Sequence, residues 1–460
     1  MDRDDPTPRS EPRDELQALF EALRAQPQAP ATLCGGQQPL HTVYGGAHLF
    51  RADVAVRLGR RALEALERWA PDARAFARAI GMRGADDPAD PLPERVHARV
   101  RARLERLPVE DLRVDFEDGF GVRSDAEEDE HADRVAQQLV EGARNGTLPP
   151  LVGIRVRALD ETSAARAVRT LERVVRPVGT ALGTLPSGFV VTLPKVRCAA
   201  QPRTLARLLD RIERSIGLPP RTIPIELMIE LPQALFGPDG RIVVRDLLDA
   251  CEGRCRGLHF GTYDYTAACD VTAAHQAMDH PLCDFALAVL KNALSGTGVW
   301  LSDGATTELP VPPEPESGDE PDRARRNAAS VHAAWRRMYA NVQRALRMGI
   351  YQGWDLHPAQ LPVRHAAVQA FFLEGIDSLL ERLRNFVDRA ARATRTGALF
   401  DDAATGQGLL NHVLRALHCG AIDVADLQAV GLAPDEIATR SFSRIVAARA
   451  ISEEADRPHP

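Results

Sequence analysis

The sequence predicts an α/β chain, a (β/α)8 TIM barrel followed by a C-terminal helical domain. Three observations carry this. Eight short apolar, β-branched runs alternate with helical patterns between residues 41 and 376, and strands that alternate with helices build a parallel sheet. The runs close on polar or charged residues, as strands do when their carboxyl ends line an active-site rim. Beyond residue 377 the pattern is helical, with no strand signal. A doubly wound open sheet is the alternative arrangement of the same units.

The elements follow in order. Residues 1–12 are polar and acidic and read as disordered. Residues 13–26 have helical periodicity, and Gly35–Gly36 break the chain. Segment 1–35 is therefore expected to precede a barrel domain spanning 36–377. Strands are expected near 41–50, 111–118, 151–158, 188–196, 222–230, 256–263, 297–303 and 349–356. Helices are expected near 54–80, 126–143, 162–174, 201–215, 243–251, 282–294, 325–347 and 360–376. Residues 304–324 are rich in proline and acids, which suits a loop after the seventh strand, either a mobile lid or a plain insertion. Residues 378–460 form a helical domain, standing apart or capping the barrel mouth.

At 460 residues the chain can bury one barrel core with an appendage. A formal net charge of −7, with 44% hydrophobic and 26% charged residues, gives no overall positive field for nucleic acid or an anionic membrane. Seven cysteines with no C-x-x-C pair suit free thiols in a reducing compartment, and a cytoplasmic location is expected. No run of 18 apolar residues is present, so no membrane-spanning helix is expected. There is no G-x-x-x-x-G-K-[ST] and no G-x-G-x-x-G after a strand, which argues against a nucleotide phosphate cradle.

The chemistry collects at the strand ends. Two apolar runs inside 223–266 end in carboxylates: TIPIELMIE closes on Glu230, and RGLHFGTYD on Asp264. Two oxygen ligands from neighbouring strands, with room for waters and substrate, suit magnesium. Capping the helix that follows is the plainer reading of either acid alone. The other strand-end residues are Asp115, Glu117 and Asp118, then Arg155, Lys195, Asp303 and His357. On one rim they would gather a divalent metal and a small anionic keto acid. Lys195 could instead pair with a neighbouring acid, and His357 before Pro358 could be a packing residue. Of Arg155 and Arg157, one is expected to face inward.

At these residues the sequence resembles the malate synthase and citrate lyase β-subunit superfamily, which includes the HpcH/HpaI-type aldolases. VDFEDGFG resembles the DFED and DLED motifs of those enzymes. GIRVRAL resembles their arginine-bearing strand, and LPKV the strand after it. MIELPQAL and GLHFGTYDYTAA resemble the two metal-ligand segments, and GWDLHPAQLPV the last strand. The resemblance covers about residues 110–375, in the family's order.

It implies a Mg2+-dependent enzyme, with Mn2+ able to substitute, in which Glu230 and Asp264 hold the metal. The metal would chelate a 2-oxo acid such as glyoxylate or pyruvate and stabilise enolate charge while a carbon–carbon bond is made or broken. Arg155 would bind the substrate carboxylate or polarise its carbonyl. Lys195, Asp115, Glu117 and His357 would line the pocket. FDDAATGQGLLNHV resembles a malate synthase stretch whose aspartate deprotonates acetyl-CoA, and that position is Asp402. It implies acetyl-CoA or another acyl-CoA as second substrate, and assembly into a homo-oligomer. The sequence departs from the family at Thr262 and Tyr263, where arginine and tryptophan stand, and at SDGATTELPV. A CoA-independent 2-oxo acid aldolase and a non-catalytic acid-binding barrel are the alternatives.

Overall fold

The computed structural model describes residues 38–314, 321–396 and 403–455. The expected helix at 13–26 and Asp402 lie outside them. Eight parallel strands close into a barrel in sequence order. They are β1 (His41–Gly46), β2 (Asp111–Asp115), β3 (Leu151–Arg155), β4 (Val190–Leu193), β5 (Ile225–Ile229), β6 (Cys255–Phe260), β7 (Trp300–Ala305) and β8 (Gln352–Asp355). The closing pair is β1 with β8, His41 opposite Gly353. Each expected strand is present and shorter than the run that marks it, with β6 starting one residue earlier and β7 ending two residues later than expected.

Side chains alternate across each strand, and here the two faces differ sharply. The outward set, including Leu112, Val114, Ile154, Leu227 and Leu258, is fully buried against the helices. The inward set is polar. Arg113 on β2 reaches across the barrel to Glu226 on β5 at 2.6 Å and holds Asp111 at 2.7 Å. Arg256 also holds Glu226, at 2.8 Å. His259 lies 3.1 Å from the same carboxylate and accepts from Trp354 Nε1 at 3.0 Å. Barrels of this kind usually fill this space with branched aliphatics. This one is held from within by an ionic layer whose charges are paired, the condition for burying them.

The β1–β2 connection differs from the expected single helix at 54–80. Pro71 cannot continue a helix, and Asp72 starts a new one by accepting from Ala75 N at 2.8 Å. Two helices result, Val54–Trp69 and Ala73–Ile80. A third, Leu92–Arg106, was not expected, because its arginines mask the apolar row Val96, Val100 and Leu104 that it buries. The other barrel helices lie where expected, with Ala164–Leu182 running on through Pro177.

The segment 304–324 is in part regular: β7 runs through Ala305, and a helix begins at Pro321. Between them, Thr306 O accepts from Gln360 at 2.7 Å, and Glu314 exchanges two bonds with Asn327. Trp335, with no exposed surface, donates to Ala359 O at 2.8 Å and packs edge-on to Phe76, fixing helix Pro321–Arg347 on the barrel.

The C-terminal helices lie on the side where the strands begin. Gln38, just before β1, bonds Leu301 O and Gln352 at 3.2 Å. Arg415 of helix Ala403–His418 donates to Gln38 at 3.3 Å, and the His418 ring bonds its carbonyl. Cys419 O accepts from Gln369 at 3.0 Å. This docking faces away from the rim where the strands end. No helix among the described residues is long and apolar enough to cross a membrane.

Candidate active site at the carboxyl ends of the strands

The rim gathers five carboxylates around two cations. Asp115 ends β2 and Arg155 ends β3, in register. Both side chains therefore project inward at the same height, and the guanidinium grips the carboxylate with Nε at 2.6 Å. Asp115 also accepts from Glu117 N at 2.9 Å and Gly119 N at 2.6 Å, which shapes the loop after β2. The free edge of Arg155 meets Glu117 at 3.1 Å and Asp118 at 3.7 Å. Met228 Sδ lies 3.4 Å from it, and the Tyr44 ring backs it at 5.0 Å. Buried carboxylates with this geometry form the strong class of ion pair, and they hold the Arg155 pKa well above its ordinary value against the opposing effect of burial.

Lys195 is the second cation. It follows β4 with φ +51°, a left-handed conformation that lysine adopts at a cost of about 1 kcal/mol. Glu230, which follows β5, holds it there by accepting from Lys195 N at 2.6 Å. The ammonium pairs with Asp264 and lies 3.6 Å from Glu230, 3.7 Å from Glu117 and 3.7 Å from Asp118. Gly261 lets Glu230 sit where it does, since a Cβ there would lie 2.6 Å from Glu230 Cβ.

Burial raises the Glu230 carboxyl to about 7, with Asp264 adding to the rise and Lys195 and Arg155 opposing it. Burial likewise raises Glu117 to about 8, helped by Asp118 and Glu230. Asp264, 45% exposed, opens to solvent.

As donors for a divalent cation these residues fit in kind: all four acids around the ammonium supply hard oxygens, and their charge exceeds that of the two cations. Among the described residues no three histidine, cysteine or acidic side chains converge tightly enough to hold a metal by themselves. Glu230 and Asp264, which both face the Lys195 ammonium, are the pair that could share a divalent cation completed by water and substrate oxygens.

Other expected site residues lie elsewhere. His357 caps the turn Pro358–Gln360, its Nδ1 accepting from Ala359 N at 3.2 Å. Among the described residues it makes no bond to the carboxylates. Asp303 is buried, accepts from Gly304 N at 2.8 Å and pairs with Arg344 at 3.4 Å, outside the barrel wall. Arg157, past the end of β3, ties to Glu128 at 2.8 Å. Tyr44 was not singled out in the sequence, although its parity with Thr42 and Gly46 in HTVYGG marks it as inward-facing. Tyr263 accepts from Thr307 at 2.8 Å and so links the short helix Thr262–Ala268 after β6 to the loop after β7.

Residues 24–445 match the family described as "Domain of unknown function (DUF6986)", and the chain belongs to that family. No curated protein matches it. Among solved structures the chain is similar to Haloferax volcanii malate synthase in a magnesium/glyoxylate complex, at 14% identity over 89% of this chain and 97% of that one, TM-score 0.42. It is similar to protein CitE from Mycobacterium tuberculosis in complex with magnesium and acetate, at 16% identity over 72% and 90%, TM-score 0.39. A third is an HpcH/HpaI aldolase/citrate lyase family protein from Burkholderia cenocepacia J2315, at 13% identity over 72% and 93%, TM-score 0.38.

Proposed function

We propose that this member of the DUF6986 family makes or breaks a carbon–carbon bond beside the carbonyl of a small 2-oxo acid, using Mg2+ or Mn2+ and an acyl-CoA. The observation that carries the reading is the meeting of Arg155, Lys195, Glu117, Glu230 and Asp264 at one end of the barrel. Glu230 and Asp264 would hold the divalent cation, which when bound acts as a Lewis acid toward the keto acid's oxygens.

The chain's own residues would do the rest. Arg155, already fixed by Asp115, would receive the substrate carboxylate with little reorganisation, which is where preorganised charge gains its effect. Lys195 would hold Glu230 in place through its backbone and offset the acid excess through its ammonium. Glu117, at hydrogen-bond distance from Arg155, would take and return the proton at the carbon beside the carbonyl. Asp402, as the resemblance implies, would serve that role toward acetyl-CoA.

One observation favours the CoA-independent aldolase as second reading. Helix Ala403–His418 docks on Gln38, at the far end of the barrel from the carboxylates. Incubation with Mg2+, glyoxylate and acetyl-CoA, following release of free CoA thiol, separates the two. Metal-dependent release that disappears in Asp402→Asn supports the acyl-CoA reaction. No release, with metal-dependent turnover of 2-oxo acids alone, supports the aldolase.

A further inference from the structure

A cavity of about 480 Å3 lies between the segments that follow β4 and β5. Its walls continue the two loops that carry Lys195 and Glu230. Ala199 comes from the first, with exposed Arg197 and Cys198 beside it, Pro232 and Phe236 from the second, and Leu247 from the helix Val244–Ala250 that follows. Arg197 and Pro232 each stand two residues from Lys195 and Glu230, within about 7 Å along the chain. The 2.6 Å bond from Lys195 N to Glu230 fixes the spacing of the two walls.

The far wall is preformed. Phe236 and Ile242 pair as an antiparallel bridge, and Gly240 at φ +75° turns the chain between them. Val243 N closes this hairpin on Leu235 O at 3.0 Å. Phe285, half-exposed, stacks on the outer side of Phe236 at 6.0 Å and 13°. A largely apolar, rigid cavity of this size suits a small-molecule site. At about 30 Å3 per non-hydrogen atom, the share a water molecule takes in the liquid, it holds roughly sixteen.

We infer that this cavity receives an apolar arm on the 2-oxo acid itself, so that the preferred substrate is a medium-chain or aromatic 2-oxo acid rather than glyoxylate or pyruvate. The inference rests on the site reading above, because the head of the acid must lie at Arg155 and Lys195 for its arm to enter between the two loops.

Cys198, which lines the cavity, is the exposed cysteine among the six free ones described, and it supplies a native probe. The full chain with Mg2+ is alkylated with iodoacetamide in the presence of pyruvate, 2-oxohexanoate, phenylpyruvate or hexanoyl-CoA. Modification at Cys198 is followed by mass spectrometry. We expect 2-oxohexanoate and phenylpyruvate to slow modification, and pyruvate at equal occupancy to leave it unchanged. In Ala199→Phe the preference for the long acids over pyruvate should fall by about tenfold, the scale on which apolar pockets discriminate. Protection by hexanoyl-CoA alone, or by none of the acids, overturns the inference. Proton exchange on pyruvate is read in parallel: exchange without protection refutes the cavity's role alone, and absence of both refutes it together with the site reading.

Discussion

Lys195 and Glu230 hold each other in place: the lysine backbone N–H donates to the glutamate carboxylate at 2.6 Å, and the lysine ammonium returns to within 3.6 Å of the same group. The ends of β4 and β5 are thereby joined, and a cation sits among acids from three strand ends. Removing the ammonium while keeping the chain length, as in Lys195→Met, leaves those carboxylates unbalanced. We expect a lower Tm in cation-free buffer and a larger rise in Tm on adding Mg2+ than in the native chain, because a ligand stabilises in proportion to the affinity it gains for the folded state. Equal shifts in the two proteins would show that the cluster is not a cation site.

Gly261 tests the placing of Glu230. A methyl group there would lie 2.6 Å from Glu230 Cβ and 2.9 Å from its carboxylate, and Gly261 N is tied to Ile229 O at 3.0 Å. Gly261→Ala is expected to cost about 1–3 kcal/mol of stability, the usual range for overpacking, and to lower activity more than stability alone explains. Chemical denaturation and a steady-state assay on the same preparation check it.

The ionic layer inside the barrel makes its own prediction. Glu226 accepts from Arg113, Arg256 and Thr192 and lies beside His259, and these partners hold its carboxyl well below the ordinary range despite the raising effect of burial. Glu226→Gln leaves two buried guanidiniums short of charge. We expect a loss of about 3–5 kcal/mol, typical of breaking a buried pair, read as a lower denaturation midpoint.

Acid should unfold the protein through a second cluster, where β1 and β8 meet helix Leu361–Leu373. Burial, with His41 and Arg103 adding to it, pulls the His365 imidazole down to about 3. Burial alone would raise Asp355, but Arg364 and His41 hold it down to about 2. In both cases the unfolded chain takes up its proton first as pH falls. His365 therefore withdraws stability between about 6.5 and 3, and Asp355 between about 4 and 2, together on the order of several kcal/mol. The folding free energy should fall steadily below pH 6.5, and His365→Phe should flatten the upper part of that fall.

Much of the fold was legible in the sequence because each strand carries a dense apolar, β-branched run between turn signals. What was not legible had physical causes. Helix Leu92–Arg106 hides its buried row among arginines, so composition argues against what spacing supports. The inward ionic layer was missed because Arg113, Glu226 and His259 each look out of place in an apolar strand until opposite walls of the barrel are brought together. At the site, the order of motifs located Arg155, Lys195, Glu230 and Asp264, which do meet. The plainer reading of Lys195, pairing with neighbouring acids, is what the structure shows; the left-handed backbone that the residue adopts there was not legible. His357 was singled out by its strand-end position and by the resemblance of GWDLHPAQLPV to the family's last strand, and its Nδ1 caps a turn instead.

The most direct test of the site is exchange of the C3 protons of pyruvate in D2O, followed by proton NMR with the native chain, with Glu230→Gln and with EDTA. The account predicts exchange that requires Mg2+ or Mn2+ and falls by on the order of 10²–10³ in Glu230→Gln, while thermal unfolding shows that variant to be folded. Exchange at the native rate in folded Glu230→Gln, or exchange unaffected by EDTA, would contradict it.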